Sequence, residues 1–285
     1  MTPALRLRCS APHMVLSGRD FAGLAAEAIR TGTVLDLARS RVELHEPFKL
    51  GSDEVLRVSG GTFVGDGHSL FQAQGTRSGL LELRDCELRH LSSPLRNEKR
   101  ALGAALFARH KARVALHGCT ISSESGFGLW LVQKAAAELD GCTLPRSGRS
   151  SAVAFENSAL SLRDSLLTDG TPHAICARGT ASVRVRDTRI EGAEVRAIYC
   201  YHSAQLDAAR CTISGNRHAE VAAVQVDALR PGDAARLTLT DCSFARNAGG
   251  DLSVTGSVQR RLDGCEELDE REATDFGEFS FKARF

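Results

Sequence analysis

Aromatic residues are scarce in this 285-residue chain, which has 12 Phe, two Tyr and a single Trp. A core with so few rings is expected to be narrow and aliphatic. No apolar run approaches the ~20 residues a membrane-spanning helix needs. No Cys-x-x-Cys pair occurs, which excludes the usual zinc and dithiol-redox motifs. Charge of one sign is lacking too: 36 Lys+Arg against 35 Asp+Glu leave a net charge of +1. Without a strong field to steer association, neither nucleic acid nor a membrane is expected as a partner. The opening residues MTPALRLRCS contain no apolar core of a secretory signal.

Glycine and cysteine are abundant, at 26 and nine residues. An odd cysteine count in a chain this long does not read as a disulfide framework, so a reducing compartment and a cytoplasmic location are expected.

An internal repeat organises the chain. The phrase LELRDCEL, ending at Leu88, returns as VALHGCTI to Ile121, AELDGCTL to Leu144, LSLRDSLL to Leu167, VRVRDTRI to Ile190, LDAARCTI to Ile213 and LTLTDCSF to Phe244. An earlier copy, LRVSGGTF, ends at Phe63, and a degraded one, RRLDGCEE, surrounds Cys265. The shared position is occupied by Gly61, Cys86, Cys119, Cys142, Ser165, Thr188, Cys211, Cys242 and Cys265, at spacings of 25, 33, 23, 23, 23, 23, 31 and 23. Each copy alternates apolar and polar residues, the pattern of a half-buried strand. A second apolar strand precedes it, as in LWLV at 129–132, AICA at 174–177 and AIYCY at 197–201.

Two short strands per 23 residues, with no helix between them, do not suit leucine-rich repeats or propeller blades. The pattern predicts an all-β fold, a single-stranded right-handed parallel β-helix of about nine or ten coils, each pairing in register with the next. Residues 1–32 are read as an N-terminal segment with a capping helix, because 17–32 place Phe21, Leu24, Ala25, Ala28 and Ile29 at helical spacing before Gly32. Residues 33–265 are the β-helix and 266–285 an acidic tail or cap, and a monomer is expected.

Stacking like above like sorts the residues into columns. In the ladder strand, pairs such as Leu81/Leu83 and Val183/Val185 point inward, while Glu82, Arg84, Asp140, Arg163 and Arg186 face solvent. The cysteine column reads as packing, since an inward Cys behaves as a small hydrophobe. Its sites lack mixed His/Cys ligand sets, so no metal and no cofactor is expected. Cys176 alone falls on an outward position, which makes it the candidate reactive thiol. On the other strand one outer column reads Phe107, Trp130, Val153, Cys176, Tyr199 and the next Arg109, Val132, Phe155, Arg178, Tyr201. The expected ligand-binding residues are therefore Phe107, Arg109, Trp130, Phe155, Arg178, Tyr199 and Tyr201, on an exposed strip suited to a protein partner or a polysaccharide. The insertion at 90–103 and the tail are the candidates to cover or rim it.

The unit GFGLWLVQKAAAELDGCTL, 126–144, resembles the repeat of the carbohydrate-binding and sugar-hydrolase type of β-helix. The stretches TVLDLA and LRVSGGTFVGDG resemble the opening coil of pectate-lyase-like proteins. The resemblance spans about residues 17–265 and implies the fold. The string DGTPHAICAR, 169–178, resembles the DPHD motif of mannuronan epimerases, departing from it at Thr171 and Ala174. A uronate lyase or epimerase would then draw on Asp169, His173, Arg178 and His202, with calcium a cofactor of that alternative only. The outward Asp pairs of polysaccharide-cleaving β-helices are missing, and a non-catalytic binding or scaffold role is the leading expectation. In this the rod is similar to the β-helix domains attached to eukaryotic F-box and adaptor proteins.

Overall fold

The computed structural model describes residues 6–8, 14–66, 69–75, 79–91, 103–265 and 267–271. The insertion expected to rim the strip lies mostly outside these residues, as does most of the tail. The described chain is an all-β parallel β-helix of about ten turns with one short helix near its N-terminus.

Each regular coil carries three strands where the repeat suggested two. The coil from Phe127 shows the pattern: strands Phe127–Leu131, Ala136–Asp140 and Thr143–Leu144. The ladder phrase is broken because the residue just before the ladder position turns left-handed. Asp85, Gly118, Gly141, Asp164, Asp187, Asp241 and Gly264 hold φ between 47° and 63° there. Asp and Gly tolerate that region best, which is why the phrase reads D-C or G-C. Arg210, at φ 50°, is the exception.

Pairing is parallel and in register throughout the repeats. Leu81, Val114, Ala137, Leu160, Val183, Leu206 and Leu237 form one continuous inward column, each at 2% exposure or less. The other inward columns are equally aliphatic. At the ladder corner each side chain donates to the carbonyl two residues back. Ser165 Oγ reaches Arg163 O and Thr188 Oγ1 reaches Arg186 O, both at 2.7 Å, while Cys211 Sγ reaches Ala209 O at 3.2 Å. The column thus combines packing with turn closure; against the pull of Cys142, the hydrogen bond with Cys86 and then burial push the Cys119 thiol up to about 12.

The ends are managed separately. The helix Gly18–Thr31 begins at a capping box between Ser17 and Asp20 and ends on left-handed Gly32. Its buried face, Phe21, Ala25 and Ala28, covers the first coils. Phe21 meets Phe48, Phe63 and Phe71 edge-on at centroid distances of 5.0, 5.2 and 6.1 Å, so four of the chain's phenylalanines plug this end. At the other end Arg260 stands in register with inward Leu237 and bonds Glu270 at 2.8 Å. A charge in an inward column discourages another strand from pairing with the edge.

Candidate functional site

Ten strands form the sheet that carries the candidate strip. Its outer columns follow the expected register. One runs Gln72, Phe107, Trp130, Val153, Cys176, Tyr199, Gln225, Ser253. A second continues from Phe155 through Arg178, Tyr201 and Asp227 to Thr255. A third, unforeseen, places His173 beside Arg196.

The exposure of the strip differs from expectation. Trp130 and Phe155 are each only 8% exposed, and Val153 is fully buried although it points outward. Phe107, Arg109, Arg178, Tyr199 and Tyr201 are half-buried. The reason is lateral packing: Phe107 lies 5.0 Å and Phe127 5.3 Å from the Trp130 ring, and these residues join Val132, Val153, Phe155 and Cys176 in a second apolar cluster outside the coil. Cys176 belongs to this cluster at 6% exposure, and burial pushes its thiol up to about 12. It is therefore a packed, protonated thiol and not a reactive one.

Polar chemistry concentrates farther along the same face. Tyr199 and Tyr201 stack at 4.9 Å with their planes 17° apart. The Arg196 guanidinium sits 4.3 Å from the Tyr199 ring centre and that of Arg178 5.7 Å from Tyr201. His173 packs against Tyr199 at 5.3 Å and His202 against Tyr201 at 4.9 Å. Arg196 Nε donates to Gln225 Oε1 at 2.6 Å, and Gln225 Nε2 donates to Asp227 Oδ2 at 2.8 Å. Asp227 Oδ1 is buried with no hydrogen-bond partner among the described residues, as is His173 Nδ1.

Burial dominates the electrostatics. It raises the Asp227 carboxyl, against the pull of the Tyr199, Gln225 and Thr255 side chains and of Arg196. It also drives His173 down to about 3, helped by the charge of Arg196, so the imidazole is neutral. His202 is lowered by burial and by Arg230, with Asp233 opposing; its Nδ1 lies 3.4 Å from Asp233 Oδ2. Burial and Asp227 raise Tyr199, which stays a neutral phenol.

Of the residues expected to act on a uronate, His173, Arg178 and His202 converge on neighbouring coils of this face. Asp169 does not join them, because its carboxylate is ion-paired with Arg217. Arg196, Gln225 and Asp227 escaped the sequence reading. Arg196 was findable as the residue 23 after His173, whereas Gln225 and Asp227 follow an irregular 26-residue step from Tyr199 and Tyr201. Among the described residues no group of three or more His, Cys, Asp or Glu converges on a metal position. No helix among them is long and apolar enough to cross a membrane.

Fold and site together define a parallel β-helix protein with an aromatic and cationic outer face. Residues 74–267 match the right handed beta helix region family, and the chain belongs to that family. Comparison with curated proteins finds no match. Among solved structures, an alginate lyase from Paenibacillus sp. str. FPU-7 is similar at 11% identity and a TM-score of 0.47, covering 89% of this chain and 99% of that one. The ORF18 protein of Geobacillus virus E2 is 8% identical with a TM-score of 0.46, covering 91% of this chain and 60% of that one. The A-module of a mannuronan C-5 epimerase from Azotobacter vinelandii is 11% identical with a TM-score of 0.44, covering 95% and 96%.

Proposed function

We propose that this chain is a non-catalytic binding protein whose aromatic and cationic face takes an acidic glycan, a polymer of carboxylate-bearing sugars. One observation carries the reading: Arg109, Arg178 and Arg196 have no carboxylate partner at ion-pair distance among the described residues. Arg109 Nη2 donates to Gln74 Oε1 at 2.6 Å, Arg196 to Gln225, and Arg178 lies over Tyr201. Neutral amides and ring faces hold these cations in place, and the one acid acting on Arg196, Asp227, reaches it through Gln225 and not as a direct ion pair. A sugar carboxylate supplies the missing charge, and a sugar ring can pack on the half-buried Tyr199 and Tyr201.

The binding reading is favoured over catalysis because the acid/base set is incomplete. His173 is too weak a base when burial holds it near 3, and Asp169 is engaged elsewhere. A uronate lyase or epimerase remains the second reading, favoured by the placing of His173, Tyr199 and Arg178 on adjacent coils.

Glycan arrays or calorimetry with polyuronates, set against neutral glucans, test the proposal. Arg178→Ala is expected to weaken polyuronate binding about tenfold to a hundredfold, the worth of one charge-assisted bond, with the unfolding midpoint nearly unchanged. Equal binding of neutral and acidic polymers sinks the proposal. Ultraviolet-absorbing unsaturated products that disappear in His173→Ala move the assignment to the lyase.

A further inference from the structure

The ladder cysteines form two stacked trios, Cys86, Cys119, Cys142 and Cys211, Cys242, Cys265, separated by Ser165 and Thr188. Backbone bonds hold successive members one above the other: Thr120 N donates to Cys86 O at 2.9 Å, Thr143 N to Cys119 O at 2.8 Å and Ser243 N to Cys211 O at 2.9 Å, while Asp241 N donates to Asp263 O at 2.8 Å on the coils of Cys242 and Cys265. The rungs therefore repeat at about 4.8 Å along the rod. Cys242 Sγ lies 3.5 Å from Thr240 O and Cys265 Sγ 3.6 Å from Asp263 O, and the Cys265 side chain also meets that of Cys242 on the coil before it. Soft sulfur atoms one rung apart suit an ion that takes two ligands in line, since two metal–sulfur bonds of about 2.3 Å sum to about 4.6 Å.

We infer that Cys242 and Cys265 form a binding site for a soft metal ion in linear two-coordination. Access decides which rungs take part. Every other ladder cysteine is at most 2% exposed, whereas Cys265 is half-buried on the terminal coil, where local opening costs least. Charge decides the ion. Uptake converts two thiols and M2+ into S–M–S with release of two protons, and the product is neutral, which keeps its burial cheap. A monovalent ion leaves one uncompensated negative charge. Because uptake releases two protons, binding strengthens as pH rises.

The test is titration of the full chain with Hg(II) chloride in a Cys9→Ser background, following the thiolate-to-metal charge-transfer band. Rapid uptake of one equivalent is expected, with X-ray absorption reporting two sulfur ligands. Cys242→Ser and Cys265→Ser should each abolish the rapid phase, and Cys119→Ser should leave it intact. Serine is compatible with folding at this position, because Ser165 occupies it natively. Absence of rapid uptake, its persistence in Cys265→Ser, or its loss in Cys119→Ser overturns the inference.

Discussion

Two outer surfaces of the rod share one backbone geometry and differ in how they treat arginine. On the surface of strands Leu80–Arg84 through Gln205–Ala209, most outward arginines meet carboxylates of their own or the next coil. Arg57 and Arg84 share Glu82 at 3.1 and 2.6 Å, Arg163 meets Asp164 at 2.9 Å, and Arg186 meets Asp207 at 2.5 Å. On the aromatic surface Arg109, Arg178 and Arg196 meet amides and rings. The first surface is self-neutralised and wet; the second is drier and keeps its positive charge. Stacked repeats place like beside like, so an arginine column repels itself unless acids are interleaved. On the aromatic face Asp227 reaches Arg196 through Gln225 and not as a direct ion pair, and the proposed glycan-binding role rests on this difference.

The sharpest way to break the contrast is Trp130→Ala. An outward residue on a solvated strip would cost little, but this one is packed like core, and a loss of about 3–5 kcal/mol is expected in urea unfolding. A loss below about 1 kcal/mol would restore the picture of an open strip.

Acid should weaken the same face. The folded pKa of His173 lies near 3, below the unfolded value of about 6.5. Its stabilising contribution is complete above about pH 6.5 and is lost as pH falls toward 3, because the unfolded chain takes the proton first. Thermal melts over that window should flatten in His173→Phe, and identical slopes for the two proteins would refute the assignment.

At the ladder corner Ser165→Ala removes the bond to Arg163 O and the one accepted from Cys142 N at 3.1 Å. A cost of about 1 kcal/mol is expected, and denaturant midpoints would read it. The smallest effect belongs to the self-neutralised surface. Arg210→Ala breaks the 2.6 Å pair with Asp187 but should leave both the melting midpoint and glycan binding unchanged, because exposed pairs contribute little. A fall in polyuronate affinity there would show that the functional face is drawn too narrowly.

Much of this was legible from the repeat. Copies of one phrase named the ladder column, the inward columns and the outward neighbours Phe107, Trp130, Cys176 and Tyr199, because in-register stacking converts sequence spacing into lateral contact. The bend that makes three strands per coil was present as the recurring Asp or Gly, but alternation of apolar residues continues across it and conceals it. Cys176 and Trp130 were assigned the right direction and the wrong exposure, since direction is local and burial depends on side chains one coil away.

By itself the sequence determined the architecture, the register and the helix over the first coils, since these follow from short-range periodicity and capping chemistry repeated until only one stacking satisfies every copy. Only the tertiary structure decided which outward residues are dry and which charges lack partners. It also set Gln225 and Asp227 beside the tyrosines across the irregular 26-residue step. Those properties arise between coils, where solvent exclusion and charge pairing depend on neighbours that are remote along the chain.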